Sequence, residues 1–285
     1  GGMKIIITGG STFAGRNFIE RYGDKHEIVP IGGAMFLEPC DAIVNFEALI
    51  EAPYSLKYPM EVFNVNVVKT MELLEQLRTL MNKGIVPHII FPSSNLVYGN
   101  TIYSPIDEKH PLDPQSPYAS TRICQEVLAR SYSHSYGMPL TVLRLSNGYG
   151  PHGTGVINQF IKNMREGKTL VVKGGSQSRT FTHIYDFCDA IILALENKNS
   201  VGEAFNIAGL DTISIKGLAE LFVGLPPHSG LYPIPNLKLE AFDRGDITSD
   251  NFSISYEKAK EVLGYEPKFN LEDGIKQIIE YEAKQ

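Results

Sequence analysis

The chain has 285 residues, a length that suits one large α/β domain or a domain with a dependent lobe. Its 26 basic and 32 acidic side chains give a net charge of −6, which without any basic run argues against a nucleic-acid partner. The longest apolar stretch is much shorter than a membrane span, and no charged segment precedes an apolar one at the start, so we expect a cytoplasmic protein without a membrane partner. The three cysteines are widely spaced and the seven histidines lack ligand spacing, which predicts reduced thiols and no metal site.

Short apolar runs alternate with amphipathic stretches through the first half of the chain. They predict strands at residues 4–8, 27–31, 42–46, 88–91 and 141–145, and helices at 13–22, 59–82 and 118–136. An uninterrupted apolar run is typical of a parallel strand that is buried on both faces. Since parallel strands need crossovers that cover both faces, the alternation predicts an α/β fold with a doubly wound parallel sheet.

The pattern loosens after residue 150. Helices are predicted at residues 156–166, 185–196, 215–222, 256–263 and 271–281, with short strands at 170–172 and 204–207. Prolines between residues 226 and 235 mark a stretch rich in loops. We therefore expect a main domain over residues 3–150, joined by segments that return to it near 176–208, and a smaller C-terminal lobe over 151–285.

Residues 8–15 form a loop with three glycines between the first predicted strand and the first predicted helix. At such a junction the backbone N–H groups and the positive helix end can bind the pyrophosphate of a dinucleotide, although a tight strand-to-helix turn needs the same glycines. The middle position is Thr12, where glycine is usual; its hydroxyl can bond a phosphate, but its branched Cβ can also hold the dinucleotide further out. We select as candidate cofactor contacts Gly9, Ser11, Thr12, Phe13 and Gly15.

At the end of the second predicted strand, an acidic residue commonly binds the adenosine ribose, but this chain has none there. It ends at Ile31 before two glycines, and the nine residues between Ile31 and Asp41 are too few for a helical crossover, which indicates a trimmed adenine side. Arg16 lies in the first helical turn and can face a 2′-phosphate, but such an arginine is more often a solvated helix residue. NAD and NADP therefore both stay open as the cofactor.

Seven short motifs follow one another along the chain. They lie at residues 8–15, 93–99, 118–122, 143–151, 178–186, 202–206 and 244–246. Together they closely resemble the motifs of the extended short-chain dehydrogenase/reductases, the NAD-dependent nucleotide-sugar epimerase/dehydratase family. The resemblance covers nearly the whole chain and is weakest between residues 30 and 60. It implies a Rossmann-like dinucleotide-binding domain over 3–150, a substrate-binding lobe over 151–285, an NAD or NADP cofactor and reversible hydride transfer at a sugar carbon.

The resemblance implies that Tyr118 is the general acid/base that exchanges a proton with the sugar oxygen. A phenol with an ordinary pKa of about 10 is a poor base at neutral pH, so a cation must stabilise the phenolate. Arg122 lies at position i+4 on the same helix face, where the family has a lysine that bonds the nicotinamide ribose. Arginine keeps the charge but does not release its proton. Ser94 would bond the same sugar oxygen and share the charge that develops there.

The same correspondence places Asn147, Arg179 and Arg244 where the family holds a nucleoside diphosphate. Planar guanidinium groups suit this task because they form bidentate bonds to phosphate oxygens. Glu47 departs from the family, which has a small residue at this position near the expected cofactor edge. A carboxylate there would repel a pyrophosphate.

In the family, the helices that correspond to residues 59–82 and 118–136 form a four-helix interface between two subunits. The resemblance therefore implies a homodimer. Core packing also accounts for apolar residues on these helices, so the contact residues are candidates: Val67, Leu74, Ile123 and Val127.

The motifs favour a 4-epimerase or a 4-keto-reductase of a nucleotide sugar. A 4,6-dehydratase is disfavoured because such enzymes have an Asp-Glu pair for the elimination step where this chain has Asn95 and Leu96. The departures at Thr12, Glu47 and Arg122 leave an alternative open, a catalytically impaired nucleotide or nucleotide-sugar binding protein on the same fold. A reductase of a non-sugar carbonyl is a third hypothesis, which the arginines at the expected phosphate site disfavour.

Overall fold

The computed structural model describes residues 1–32, 37–225, 232–240 and 251–285. Within them the strands are β1 Lys4–Thr8, β2 Glu27–Ile31, β3 Ala42–Asn45, β4 His88–Ser94, β5 Leu140–Leu145, β6 Gly148–Tyr149, β7 Leu170–Lys173, β8 Ser178–His183, β9 Ala204–Ile207, β10 Asp211–Ser214 and β11 Leu237–Glu240. The α-helices are α1 Phe13–Tyr22, α2 Ala52–Lys57, α3 Pro59–Phe63, α4 Lys69–Asn82, α5 Pro117–Tyr136, α6 Val156–Arg165, α7 Ile184–Glu196, α8 Ile215–Gly224, α9 Glu257–Leu263 and α10 Leu271–Ala283.

Six parallel strands form the central sheet, in the order β2-β1-β3-β4-β5-β9. The chain moves outward from β1 to β2, returns past β1 to β3, and then continues in the opposite direction. The order therefore reverses between β1 and β3, and in parallel α/β sheets a ligand crevice opens beyond the carboxyl ends of the strands at such a point. This topology confirms the predicted doubly wound parallel sheet and its Rossmann-like fold.

Apolar side chains cover both faces of the central sheet. One cluster packs α1, α7 and α9 against one face, and a second packs α4 and α5 against the other. Alternate residues of β1 belong to the two clusters, since Ile5 and Ile7 join the first and Ile6 joins the second. All three are fully buried, as expected of an uninterrupted apolar strand in a parallel sheet. A third cluster joins α6, α8 and α10.

The predicted helix over residues 59–82 is confirmed in its bounds, but part of it is not α-helical. It consists of α3, a π-helical turn over Asn64–Val68 and α4. Such a turn inserts one residue and changes the direction of the side chains that follow. Here it contains Asn66, whose buried amide donates to Leu49 O and Thr121 Oγ1, both at 3.0 Å, and accepts from Leu49 N at 2.8 Å. Apolar residues recur at helical spacing on both sides of the turn, so they predicted the span of the helix but not the π turn within it.

The strands β6, β8, β10 and β11 and the helix α2 were not predicted from the sequence. The strands β6, β10 and β11 have two to four residues, and β8 and β10 are rich in polar residues rather than apolar ones. In the structure β8 lies between β6 and β10 in a three-stranded sheet, and β7 pairs with β11 in a two-stranded one. These strands depend on tertiary pairing, which the local composition does not reveal.

His183 ends β8 and caps α7 in the protein interior. Its Nδ1 accepts a hydrogen bond from Tyr185 N at 3.0 Å, and its Nε2 lies 2.8 Å from Gln277 Oε1. The ring stacks on Phe269 with the centroids 4.1 Å apart. Burial disfavours the imidazolium and lowers the pKa of His183 to about 4. A ring that accepts at Nδ1 and donates at Nε2 is neutral, which agrees with this direction.

We predict that His183 makes the fold sensitive to acid. The unfolded chain takes up a proton near the ordinary histidine pKa of about 6.5, whereas the folded protein takes it up only near pH 4. The free energy of unfolding should therefore fall by up to about 3 kcal/mol as the pH decreases between these values. The substitution His183→Asn keeps an oxygen that can cap α7 but removes the titration. Urea denaturation at neutral and acidic pH should show a smaller loss for the variant, and equal losses would contradict the prediction.

Candidate functional site

A cavity of about 630 Å³ opens at the carboxyl ends of the central strands. Its walls are the loop before α1, the segment after β3, the end of β4, the start of α5 and the segment after β5. This is the side of the sheet where the reversal of strand order creates a ligand crevice. The predicted site residues that line the cavity are Thr12, Phe13, Ser94, Tyr118, Arg122 and Asn147.

Two glycines shape the loop before α1. Gly9 has a φ of +64°, and a Cβ there would lie 2.6 Å from Glu47 N. A Cβ on Gly15 would lie 2.2 Å from Gly9 O, so a larger residue would push α1 away from the loop. Thr12 caps α1, since its Oγ1 accepts from Gly15 N at 3.2 Å and donates to Gly9 O at 2.6 Å, and Ser11 is exposed. The loop therefore brings a helix N-terminus, which favours anions, to the cavity wall.

Glu47 is not among the residues that line the cavity in the described part of the chain. Its Oε1 lies 2.7 Å from Lys69 Nζ in a partly exposed ion pair. Its backbone N donates to Thr8 Oγ1 at 3.1 Å, which ties the segment after β3 to the end of β1. Because Lys69 balances the carboxylate, the repulsion that an isolated Glu47 would exert on a pyrophosphate is reduced.

Tyr118 lies in the first turn of α5. Ser116 is the N-cap and accepts from Ala119 N at 3.1 Å, while Ser55 Oγ accepts from Tyr118 N at 3.0 Å. Ser55 belongs to α2, so this short helix satisfies an N–H group that the start of α5 leaves without an intrahelical partner. Ser55 was not predicted from the sequence, because nothing in its local pattern relates it to α5. The result is a tyrosine that is buried yet lines the cavity.

Arg122 lies one turn after Tyr118 and bonds its phenol. The Nε donates to the phenol oxygen at 3.0 Å, and the guanidinium carbon lies 5.4 Å from the ring centroid. The Nη1 donates to Pro92 O at 3.1 Å and to Gln125 Oε1 at 2.9 Å. Arg122 is only 5% exposed. Among the described residues none of its partners is a carboxylate, so no counter-charge cancels the cation beside the phenol.

Two serines end β4. Ser94 lines the cavity, and its Oγ accepts from Leu96 N at 3.2 Å, which caps the 3-10 turn over Asn95–Tyr98. Ser93 Oγ donates to Glu126 Oε2 at 2.9 Å, on α5. Because successive side chains of a strand point to opposite sides, the bond that holds Ser93 to α5 also fixes the direction of Ser94.

A hydrogen-bond network around a buried ion pair joins three of the sequence motifs, those at residues 93–99, 143–151 and 202–206. Arg144 Nη2 lies 2.7 Å from Glu126 Oε1, and the two side chains are 5% and 2% exposed. Arg144 Nη1 also donates to the Tyr98 oxygen at 2.9 Å, and the Tyr98 hydroxyl donates to Asn206. Burial raises the pKa of Tyr98 to about 12, so this hydroxyl keeps its hydrogen at neutral pH. This network was not predicted from the sequence, although a charged residue within the apolar strand β5 is a signal for a buried partner.

Of the three residues predicted to hold a diphosphate, the structure describes Asn147 and Arg179. Asn147 lines the cavity with a φ of +41°, and its Nδ2 donates to Thr180 O at 3.3 Å. Arg179 lies on β8, outside the cavity lining, where its Nη1 donates to Ser178 O at 2.7 Å. Arg244 lies outside the described residues. Of the three, Asn147 is therefore the one that the described structure brings to the cavity of Tyr118.

Neither a metal site nor a membrane-spanning helix is present in residues 1–32, 37–225, 232–240 and 251–285. In these ranges no group of three or more His, Cys, Asp or Glu side chains could hold a metal ion. No helix there is both long enough and apolar enough to cross a bilayer. The cysteines are free thiols, with Cys40 and Cys124 partly buried and Cys188 buried.

Proteins of one family resemble this chain in sequence and in fold. The family model described as GDP-mannose 4,6-dehydratase matches residues 34–278. A putative UDP-glucose 4-epimerase of Methanocaldococcus jannaschii is 28% identical over 97% of both chains. The dTDP-D-glucose 4,6-dehydratase of Homo sapiens is 29% identical over 86% of this chain and 69% of its own. The crystal structure of a UDP-glucose 4-epimerase with UDP-glucose, from Thermotoga maritima, has a TM-score of 0.84 and 26% identity and covers 98% of both chains. With its fold and most of its length matched, the chain belongs to the extended short-chain dehydrogenase/reductase family of NAD-dependent nucleotide-sugar epimerases and dehydratases.

Proposed function

We propose that the protein is an NAD(P)-dependent nucleotide-sugar epimerase or 4-keto-reductase that acts by hydride transfer at a sugar carbon. The observation that carries this proposal is the meeting of Ser94, Tyr118 and Arg122 on one cavity beside the N-terminus of α1. A phenol bonded by a guanidinium supplies an acid/base, and the adjacent helix N-terminus supplies an anion site. Similar proteins named for UDP-glucose and dTDP-D-glucose support a nucleotide sugar as the substrate.

In this proposal Tyr118 exchanges a proton with the reacting sugar oxygen. The Nε of Arg122, 3.0 Å from the phenol oxygen, stabilises the phenolate form that accepts this proton. Ser94 Oγ accepts from the backbone N–H of Leu96, and its own hydrogen makes only a long contact of 3.5 Å to Asn95 Oδ1. Turned from Asn95 to the sugar oxygen, this hydrogen would share the charge that develops there. When bound, the nicotinamide cofactor supplies the acceptor and donor of the hydride.

The residues around the loop before α1 fit a dinucleotide. Gly9 and Gly15 have no Cβ atoms, which in this loop would lie closer to neighbouring backbone atoms than the van der Waals distance. The helix α1 directs its free N–H groups to the cavity wall. The Nη2 of Arg122 makes no hydrogen bond to the described protein, is not among the buried unpartnered atoms, and is therefore available to the nicotinamide ribose. The residues proposed to hold the pyrophosphate end are Gly9, Ser11, Thr12, Phe13 and Gly15.

The nucleoside diphosphate of the substrate is proposed to lie against Asn147, which lines the cavity. Arg179 and Arg244 are also proposed to contact the phosphates, and this proposal rests on the sequence motifs alone. Their planar guanidinium groups suit this task because they can form two parallel bonds to phosphate oxygens.

Some similar proteins are named 4,6-dehydratases, but the residues after Ser94 favour the other two reactions. The dehydratase pattern has an Asp-Glu pair there for the elimination step, and this chain has Asn95 and Leu96. Neither an amide nor an alkyl side chain can accept or release a proton at neutral pH. An epimerase or a reductase needs hydride transfer and the one proton that Tyr118 can exchange.

The alternative of a non-catalytic binding protein rests on the departures at Thr12, Glu47 and Arg122. The structure accounts for two of them in part, because Thr12 caps α1 and Lys69 pairs with Glu47 and reduces its repulsion. Arg122 is the departure that touches Tyr118. Whether the protein is an enzyme or a binding protein therefore depends most directly on whether Arg122 supports proton exchange by Tyr118.

The role of Tyr118 can be tested by removing its hydroxyl. Tyr118→Phe keeps the ring but removes the proton, so kcat should fall at least ~100-fold, the lower end for general acid–base catalysis. Binding of the nucleotide sugar, measured by calorimetry, should stay near that of the wild type. The matched control is Tyr136→Phe, at the exposed end of the same helix. Near wild-type turnover by Tyr118→Phe would show that another group moves the proton.

Two substitutions of Arg122 separate its charge from its shape. Arg122→Lys restores the family residue with its charge, so activity should be preserved or raised. Arg122→Met should lower kcat/KM, move the acidic limb of its pH profile to higher pH, and weaken cofactor binding, because the phenolate loses its cation. The measurements are a pH–rate profile and calorimetry with NAD and NADP. A methionine variant that matches the wild type at every pH would remove Arg122 from the catalytic pair, and nucleotide binding without any turnover would favour the binding protein.

We also propose a homodimer through α3, α4 and α5. Apolar residues on these helices are exposed in the single chain, namely Met60, Phe63, Met71 and Val127 at 69%, 42%, 41% and 53%. The expected contact at Leu74 is wrong, because this side chain is fully buried against the central sheet. Val67 and Ile123 are half-buried. An apolar face across neighbouring helices is typical of an interface.

Light scattering at micromolar concentration should give the mass of a dimer. Phe63→Glu places a charge in the proposed interface and should yield a monomer, whereas Val171→Glu, an equally exposed position on β7, should leave the dimer intact. A wild-type protein with the mass of one chain would contradict the proposal.

A further inference from the structure

The guanidinium of Arg122 is oriented by a neutral side chain. Within the described residues its Nη1 donates to Gln125 Oε1 at 2.9 Å and to Pro92 O at 3.1 Å, while Nε donates to Tyr118. We propose that Gln125 is a positioning residue, which fixes the guanidinium so that Nε faces the phenol and Nη2 stays available to a ligand in the cavity. The inference rests on the proposed function and explains how an arginine can serve at a position where the family has a lysine.

Gln125 is itself held in one orientation by the polarity of its hydrogen bonds. Thr70 Oγ1 donates its one hydrogen to Asn66 O at 2.8 Å, so toward Gln125 it can only accept. The amide nitrogen of Gln125 therefore donates to Thr70 at 3.0 Å, and the amide oxygen is turned to Arg122. A flipped amide would place an NH₂ group against the N–H groups of the guanidinium. Gln125 and Thr70 are 3% and 2% exposed, so bulk water does not compete for these bonds.

The neutrality of Gln125 matters as much as its direction. A carboxylate at this place would pair with Arg122 and cancel much of the charge that acts on the phenol. The neighbouring Glu126 does not do so, because Arg144 holds it at 2.7 Å. The other titratable groups that line the cavity are Glu51, Tyr54 and His152. Gln125 thus supplies a fixed acceptor without a counter-charge.

The first test replaces Gln125 in two ways. Gln125→Met keeps the length but loses both hydrogen bonds. It should lower kcat about tenfold or more, as for the loss of a bond to a charged group, with little change in the KM for the nucleotide sugar. Gln125→Glu adds the cancelling charge and should lower kcat further. Both variants should move the acidic limb of the pH profile of kcat/KM to higher pH. The control is Gln159→Met, the same change at an exposed position of α6.

The second test acts on Gln125 through its partner. Thr70→Val removes the hydroxyl that accepts from Gln125, so kcat and the pH profile should change in the same direction. Thr70→Ser keeps a hydroxyl and should recover most of the lost activity. If the Gln125 variants do not fold, the two Thr70 variants still test the proposed role of Gln125. Folded Gln125→Met and Thr70→Val proteins with wild-type kcat and pH profiles would overturn the proposal, as would equal losses in Thr70→Val and Thr70→Ser.

Calorimetry with NAD and NADP separates this inference from the proposed function. If the wild type turns over no nucleotide sugar, the proposed function fails. Gln125→Met should still bind the cofactor about tenfold more weakly than Gln159→Met, because Nη2 of Arg122 is no longer held in place. Equal affinities of these two variants would then overturn the role of Gln125.

Discussion

The burial of a guanidinium next to a phenol is the constraint around which this site is organised. An ion that leaves water loses several kcal/mol of hydration, which hydrogen bonds and opposite charges must offset. Arg122 has no carboxylate partner among the described residues, so acceptors on two elements stabilise it, Pro92 O at the end of β4 and Gln125 on α5. Gln125 in turn needs Thr70, and Thr70 needs the carbonyl of Asn66 in the π turn. One requirement therefore joins the strand end, two helices and an irregular turn.

The same constraint explains why a second buried pair lies beside the site. Tyr118, Arg122 and Glu126 follow one another at four-residue steps along α5. On an isolated helix Arg122 and Glu126 would pair, since residues i and i+4 are neighbours. In the structure Arg144 on β5 binds Glu126 at 2.7 Å instead. The ion pair therefore does more than join β5 to α5, because it withdraws the carboxylate next along the helix and leaves the cation of Arg122 for the phenol.

Elements with a strong local signal could be predicted from the sequence with the bounds that the structure has. The strands β1 and β2 and the helix α1 agree in full, because each is an apolar or amphipathic stretch followed directly by glycine. The π turn over Asn64–Val68 could not be predicted, since it changes neither the composition nor the approximate spacing of apolar residues. Tyr118 and Arg122 could be paired because they lie one turn apart on one helix. Their supports depend on contacts between α2, α4 and α5 that no local pattern records: Ser55, Thr70 and Gln125.

The chemistry of this support also limits where a proton can travel. An arginine keeps its proton at any working pH, and the amide of Gln125 is neutral, so the chain of hydrogen bonds from Tyr118 toward Asn66 can orient the phenol but cannot carry a proton away. Among the described residues, Arg122 is the side chain that bonds the phenol. In the proposed reaction the proton of Tyr118 must therefore be exchanged on the cavity side, with a hydroxyl of a bound ligand or with water that reaches the phenol.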